Sequence, residues 1–461
     1  MNGYPYLDDL ALQARDLPGG AALILPDRTL TWLELDHAAD QYALQSRSNA
    51  PTGSHPASRL FLPPGEEAIV ALHALPRLGA YAVPLDPRLS VTEARDLFAA
   101  LDMGQPENLQ ESADPSQEVV WVEPHADRVR TNMLTSGSSG APKPVPLTFA
   151  SHRAAAESAR QLLELTEDDR WLACLPFHHI GGLSIFTRSA YVGFPAIVTW
   201  PFDAAEVMDS VERHHATAIS LVPTMLRRLI DANWEPPATL RFALLGGAAS
   251  PISLQKEALD RGIPIAPSYG MTETCSQICT LLPDEVAAHI GTVGRPIPGA
   301  AVMIRDDDRV AAQAEQTGRI WARSPDSSAW IETGDLGAVD LEGYLTVVGR
   351  ADEMIVTGGE KVAPAEIENL LALRADVAEA AVIGIADPEW GERVVAAVVA
   401  GRAGSPDPES LRSYLRESLA PFKVPRSVVV VAELPRTGPG KVDRGMLRNL
   451  IADNFQRGRR P

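Results

Sequence analysis

The densest chemical signal in the sequence is Leu134-Thr-Ser-Gly-Ser-Ser-Gly-Ala-Pro-Lys-Pro-Val-Pro146. Gly137 and Gly140 free the backbone to turn its N–H groups toward phosphate oxygens, while Thr135, Ser136, Ser138 and Ser139 add hydroxyl donors. Lys143 adds a point charge. Pro144 stands where a Walker A loop carries Ser or Thr, so this is another kind of anion cradle. A Ser/Gly linker has a similar composition, but Pro142, Pro144 and Pro146 count against it because they stiffen the exit.

Three further segments fit a nucleotide. In Ser268-Tyr-Gly-Met-Thr-Glu-Thr274, Glu273 suits Mg2+ carried on ATP phosphates, an ion that takes one carboxylate plus substrate oxygens. Thr272 can reach an α-phosphate oxygen, Tyr269 can offer its face to adenine, and Gly270 lets the backbone come close. Upstream, Gly246-Gly247-Ala248-Ala249 ends a β-like run, the place where open α/β sheets bind ligands. Thr333-Gly334-Asp335 puts a carboxylate on a turn, suited to two ribose hydroxyls, and Arg350 can serve the same sugar or a phosphate. Gly358-Gly359-Glu360-Lys361 permits close approach of a partner to the backbone. In Pro435-Arg-Thr-Gly-Pro-Gly-Lys441, the ammonium can bridge a carboxylate and an α-phosphate. Singly, each has a plainer reading: a turn, a helix start, a surface salt bridge, a solvated lysine.

The elements that must position these groups read as α/β. Ala196–Thr199, Ala218–Val222 and Phe242–Leu245 are β-like, and each is followed by an amphipathic helical pattern: 204–214, 224–232 and 253–261. That alternation indicates βαβ units and parallel sheet. Ser48–Ser58 and Gln105–Glu118 read as surface loops, and a helix capped by Ser151 is expected after the phosphate loop. The order changes after Gly349-Arg350-Ala351-Asp352. There a helix near 364–373, strands 379–385 and 394–399, a helix 410–419, a strand 427–431 and a helix 445–452 form a smaller α+β unit. The expected division is a large N-terminal ATP- and acid-binding domain of α/β layers with mixed and parallel sheets, residues 1–350, and a small C-terminal domain, residues 351–461.

Composition narrows the classes. A formal charge of −19, from 41 basic and 60 acidic side chains, repels a phosphate backbone and argues against a nucleic-acid partner. Cys174, Cys275 and Cys279 form no disulfide framework or zinc spacing. With no signal-peptide pattern and no bilayer-length apolar segment, a cytoplasmic protein without membrane insertion is expected.

Taken in order, the phosphate loop, Tyr-Gly-Met-Thr-Glu, Thr-Gly-Asp, Gly-Arg-Ala-Asp with Gly-Gly-Glu-Lys, and Pro-x-Thr-x-x-Gly-Lys resemble the adenylate-forming superfamily. That group contains acyl-CoA synthetases, luciferases and peptide-synthetase adenylation domains, and the match spans roughly 130–445. The resemblance implies ATP, Mg2+, a small carboxylic acid and coenzyme A, with the C-terminal domain moving about a hinge at Asp352 and homodimers as one assembly. It implies that Thr135–Lys143 holds pyrophosphate, Glu273 the metal, and Asp335 and Arg350 the ribose. Lys441 then assists adenylation, and the face of Gly358, Gly359 and Lys361 lines the pantetheine channel. Leu175-Pro-Phe-His-His-Ile-Gly-Gly-Leu-Ser184 and Ser268–Gln277 are similar to o-succinylbenzoate–CoA ligases of menaquinone biosynthesis, where His179 aligns with a histidine beside the acyl pocket. A partly buried, satisfied histidine is the plainer reading of His179. Two departures stand out: a short Arg323–Ala329 segment, and Pro144 where Gly is common. Other aryl or fatty acids, a carrier-protein acceptor and a non-catalytic nucleotide-binding regulator remain as alternatives. For a substrate with a second carboxylate, Arg77, Arg188 and Ser276/Gln277 are candidates.

Overall fold

The computed structural model describes residues 8–47, 57–60, 65–101, 125–136, 142–306, 314–401, 404–436 and 442–457. The alternation expected for the first two thirds is present. Ala196–Val198, Ala218–Leu221 and Phe242–Leu245 are strands, followed by helices Ala204–Arg213, Pro223–Asp231 and Ile252–Asp260. They belong to a nine-stranded sheet of spatial order Arg295–Pro296, Ser276–Thr280, Ile265–Met271, Phe242–Leu245, Ala218–Leu221, Trp171–Ala173, Ala196–Val198, Ala21–Ile24, Thr29–Thr31. From Ile265–Met271 to Ala21–Ile24 the pairing is parallel. Side chains alternate between two cores: Trp171, Val198, Ala218 and Phe242 pack on one face, and Leu172, Ile197, Ile219 and Ala243 on the other. Coverage of both faces explains why these strands read as unbroken apolar runs.

The phosphate segment is flanked by a hairpin. Val129–Ser136 pairs antiparallel with Pro142–Thr148, in register from Thr131↔Leu147 to Ser136↔Pro142. The exit from the loop is thus a strand. It lies at the edge of a four-stranded sheet, and its prolines occupy alternate positions, which can all turn their missing N–H groups away from the partner strand. Helix Phe149–Leu163 follows directly. Its cap is Thr148, not Ser151: the Thr148 hydroxyl accepts the Ser151 N–H at 3.1 Å, and Ser151 Oγ donates to Asp326 at 2.6 Å. Of the two expected loops, 105–118 lies outside the described residues. The other ends earlier than expected, since Ala57–Leu60 is a strand.

An antiparallel sheet of Ala301–Arg305, Gly318–Arg323, Ile331–Val339 and Leu345–Arg350 precedes a 3-10 turn, Ala351–Glu353. Beyond it the expected small α+β unit appears: helix Pro364–Leu371, strands Val377–Asp387 and Gly391–Ala400, helix Pro408–Ser418, strand Ser427–Val431 and helix Arg444–Arg457. A hairpin of Ile355–Thr357 and Glu360–Val362 adds to its sheet, turning at Gly358-Gly359. Among the described residues these strands pair only with one another. Their two apolar clusters draw only on residues between Ile355 and Ile451. No helix of the described residues is long and apolar enough to cross a membrane.

Candidate active site

Two of the singled-out segments sit together at the carboxyl ends of neighbouring parallel strands. Leu245 leads into Gly246-Gly247, and Ile265–Met271 leads into the 3-10 turn Thr272–Thr274. Ser268 Oγ donates to the Leu245 carbonyl at 3.2 Å. A Cβ on Gly246 would lie 2.8 Å from that hydroxyl, so the glycine lets the two strand ends close up. Gly247 and Ala248 are exposed beyond it.

Gly270 is tighter still: a Cβ there would fall 1.9 Å from the Ser276 carbonyl oxygen, where the strand Ile265–Met271 folds back on Ser276–Thr280 with a bulge. The turn between them carries Thr272 and Glu273, both half-buried. Thr274 closes it from within. Its hydroxyl accepts the Met271 N–H at 3.2 Å and lies 3.0 Å from the carbonyls of Met271 and Ser276.

Tyr269 joins this turn to the ribose candidates. Its hydroxyl donates to Asp335 Oδ2 at 2.6 Å, and burial, reinforced by the Asp335 carboxylate, pushes the phenol well above its ordinary range. Asp335 lies within the strand Ile331–Val339, opposite Arg350, and not on a turn as its Gly neighbour implied. Gly334 has φ +79°, and a Cβ there would meet Arg350 Nη2 at 2.8 Å. Arg350 donates to the Thr333 carbonyl at 3.1 Å and to Asp352 at 3.1 Å, with Asp335 3.5 Å away. Asp335 and Arg350 are therefore together, and the hydroxyl of Tyr269 is as much part of the cluster as its ring.

Across the hairpin, Thr135 and Lys143 are opposite each other, and the Thr135 hydroxyl donates to the Lys143 carbonyl at 3.3 Å. Ser136 is paired with Pro142 at the hairpin's end; Gly137, Ser138, Ser139 and Gly140 lie outside the described residues. The strand Pro142–Thr148 packs on the Thr272–Thr274 turn, which places the phosphate and metal candidates side by side. Lys441 also lies outside the described residues. Its flanks are tied down: Arg436 bridges Val442, and Arg444 pairs with Glu353 at 2.9 Å and Glu368 at 2.7 Å. Gly358 and Gly359 turn the C-terminal hairpin at φ +59° and +86°, and Lys361 is exposed on its second strand.

On the acid side, His179 is the half-buried N-cap residue of helix Ile180–Val192, its ring 4.3 Å from that of His178. Arg188, on the same helix, is 2% exposed. Its Nη2 donates to Ser276 Oγ at 3.1 Å, and its guanidinium lies 5.5 Å from the Trp171 ring. Among the described residues no carboxylate pairs with it and its Nε has no hydrogen-bond partner. Burial pulls its pKa down to about 10. Gln277, next to Ser276, has a buried Oε1 in the same condition. Arg77 is a different case: Asp8, Asp36 and Asp40 hold it at 2.9, 2.6 and 2.5 Å. That network is structural, and Arg77 is removed from the acid candidates. All three cysteines are buried, as expected of inert thiols.

The donor set also fits the expected ion. Among the described residues no three His, Cys, Asp or Glu side chains converge as a metal cage. A single half-buried carboxylate, Glu273, beside the candidate phosphate hairpin suits Mg2+ carried on a nucleotide, which takes one carboxylate plus substrate oxygens.

The profile of the AMP-binding enzyme family matches residues 96–329, and that of the AMP-binding enzyme C-terminal domain matches 366–441. A 2-succinylbenzoate–CoA ligase of Bacillus subtilis is 34% identical over 96% of this chain and 97% of its own; one from Bacillus velezensis is 35% identical over the same shares. The o-succinylbenzoate CoA synthetase of Bacillus subtilis in complex with the acyl-adenylate OSB-AMP superposes with a TM-score of 0.87 at 32% identity, covering 95% of this chain and 97% of that one. With ATP and magnesium ion the score is 0.86 at 33% identity, covering 95% and 99%. A double mutant of the same synthetase bound to the product analogue OSB-NCoA scores 0.70 at 33% identity, covering 96% and 98%. The chain thus superposes better on the adenylate-bound and ATP-bound structures than on the product-analogue complex.

Proposed function

The chain belongs to the AMP-binding enzyme family, and we propose that its reaction is the ATP-dependent joining of 2-succinylbenzoate to coenzyme A. In the first half-reaction a carboxylate oxygen of the acid attacks the α-phosphorus of ATP, the bond to the β-phosphate oxygen breaks, and pyrophosphate leaves. In the second, the CoA thiol attacks the acyl carbon, gives up its proton, and AMP departs with the bonding pair.

Each step has residues suited to it. The hairpin ends at Thr135 and Lys143 frame the segment that would hold the departing pyrophosphate, and Thr272 stands beside it. Asp335, with Tyr269 at 2.6 Å and Arg350 at 3.5 Å, would take the ribose hydroxyls. Glu273 would hold Mg2+, which supplies charge neutralisation at the phosphate oxygens when bound. Lys441 would stabilise charge as it passes from carboxylate to α-phosphate. Residues 1–350 and 351–461 would form two domains hinged at Asp352, so that Lys441 can withdraw and the Gly358–Lys361 hairpin can face the thiol. CoA is the acceptor in this reading, the cytoplasm its setting, and a homodimer its assembly.

The observation that carries the acid assignment is Arg188. A buried guanidinium paired only with a serine hydroxyl among the described residues suits a ligand that brings its own anion. Such an anion is the second, non-reacting carboxylate of succinylbenzoate. AMP formation from a panel of aryl, fatty and dicarboxylic acids with ATP, Mg2+ and CoA tests it. Succinylbenzoate should exceed benzoate and medium-chain fatty acids by at least tenfold in kcat/KM; equal rates with fatty acids would overturn the assignment.

A further inference from the structure

The metal-ligand turn ends in an uncommon way. Cys275 and Ser276, neither of them glycine, both have positive φ, +55° and +107°. L residues rarely take such a conformation, and two in succession persist only where their surroundings over-determine them. Two side chains supply that constraint. His152 Nδ1 lies 3.6 Å from Cys275 Sγ, and Arg188 donates to Ser276 Oγ at 3.1 Å.

We propose that His152 is a positioning residue for Glu273, acting through Cys275 and alongside the Arg188–Ser276 contact to fix the backbone that ends the Thr272–Thr274 turn. The inference rests on the reading of Glu273 as the magnesium ligand. The other nitrogen of His152 is 2.9 Å from Thr131 Oγ1, on the strand that runs out to Thr135. One imidazole, 2% exposed, therefore ties the phosphate hairpin to the metal turn. It sits on helix Phe149–Leu163, which begins where the hairpin ends. Burial, with Arg130 and Arg188 nearby, holds the ring neutral. A neutral imidazole has one donor and one acceptor nitrogen, so the ring donates to one of Thr131 and Cys275 and accepts from the other. Nothing in the sequence marks His152, because the contact joins residues 123 positions apart.

The test separates positioning of the metal ligand from general packing. Binding of α,β-methylene-ATP is measured by calorimetry with and without Mg2+, on the full chain carrying His152→Phe, which keeps the volume and removes both polar contacts. The inference predicts at least a tenfold loss of affinity for the Mg2+ complex. Affinity for the metal-free nucleotide should fall at least threefold less, since only the Thr131 tie to the phosphate hairpin bears on it. His152→Asn, which can still reach Cys275, should recover most of the loss. If His152→Phe does not fold, Cys275→Ala removes only the thiol and should show the same metal-selective loss at threefold or more. Equal losses with and without Mg2+, or none, overturn the inference. Glu273→Gln is measured alongside. If it leaves Mg2+-nucleotide affinity intact, the reading of Glu273 fails and takes the inference with it; if it weakens that affinity while His152→Phe does not, only the positioning role fails.

Discussion

Replacing Arg188 by Met should weaken substrate affinity without a loss of stability. The guanidinium is buried with one hydroxyl partner, and burial pulls its pKa from the ordinary arginine value to about 10. That fall corresponds to about 3 kcal/mol against the charged form in the folded protein. The sign is fixed: between about pH 10 and the unfolded value the unfolded chain binds the extra proton, so stability rises with pH only there. At pH 7 to 8 both states are protonated and the whole penalty is present. Met fills most of the same volume without charge, which returns about 1–3 kcal/mol. Losing the Ser276 hydrogen bond that helps hold the Cys275–Ser276 backbone offsets about 1 kcal/mol of it. The ligand-free protein should therefore be no less stable and up to about 2 kcal/mol more stable. Binding runs the other way. Losing a buried charge-assisted pair with the second carboxylate should cost about 2–4 kcal/mol, which at the low end is about 30-fold in acid affinity. Thermal unfolding and the acid KM for AMP formation, measured on one preparation, decide the matter. A variant that is less stable, or one whose succinylbenzoate KM is unchanged, refutes the assignment of Arg188 as an anion receptor.

Three other outcomes follow from the site. Lys441→Ala should remove acid-dependent pyrophosphate release by about 3 kcal/mol or more while sparing thioester formation from preformed acyl-adenylate; equal impairment of both half-reactions contradicts its role. Asp335→Ala, which also strips Tyr269 of its 2.6 Å acceptor, should raise the ATP KM far more than the acid KM, as initial-rate kinetics will show. Gly270→Ala places a Cβ 1.9 Å from the Ser276 carbonyl, so the bulge must open. Chemical denaturation should show a loss of about 1–3 kcal/mol, together with weaker Mg2+-nucleotide binding.

The regular elements were legible because their physics is local. Val- and Ile-rich runs such as Ser427–Val431 could only be strands, and the helix starting at Pro364 carries its proline at the first turn. The hairpin Ile355–Thr357/Glu360–Val362 shows in the sequence only as a glycine turn, since three-residue strands carry too little periodicity to register. Sequence alone puts Asp335 on a turn, because Gly334 resembles one. The pairing of Asp335 with Arg350 that keeps it in a strand is a tertiary fact. Thr148 and Ser151 are both competent caps, and what separates them is Asp326, 175 residues from Ser151, which claims the serine hydroxyl. The acid candidates show the same division. Arg77 and Arg188 are alike in sequence, and only burial with or without carboxylates separates a structural ion network from the proposed anion receptor. The candidate site was legible as a set of motifs, while the contacts that make it one site, Tyr269–Asp335 and His152–Cys275, join distant positions and left no mark along the chain.

The central claim is that one acid is joined to CoA at the expense of ATP, through an adenylate. Mass-spectrometric quantification of AMP, pyrophosphate and thioester from the purified chain with 2-succinylbenzoate, ATP, Mg2+ and CoA tests it most directly. The account predicts equal amounts of AMP, pyrophosphate and succinylbenzoyl-CoA, and an acyl-adenylate when CoA is withheld. ADP in place of AMP, or no acid-dependent nucleotide cleavage at all, would contradict it.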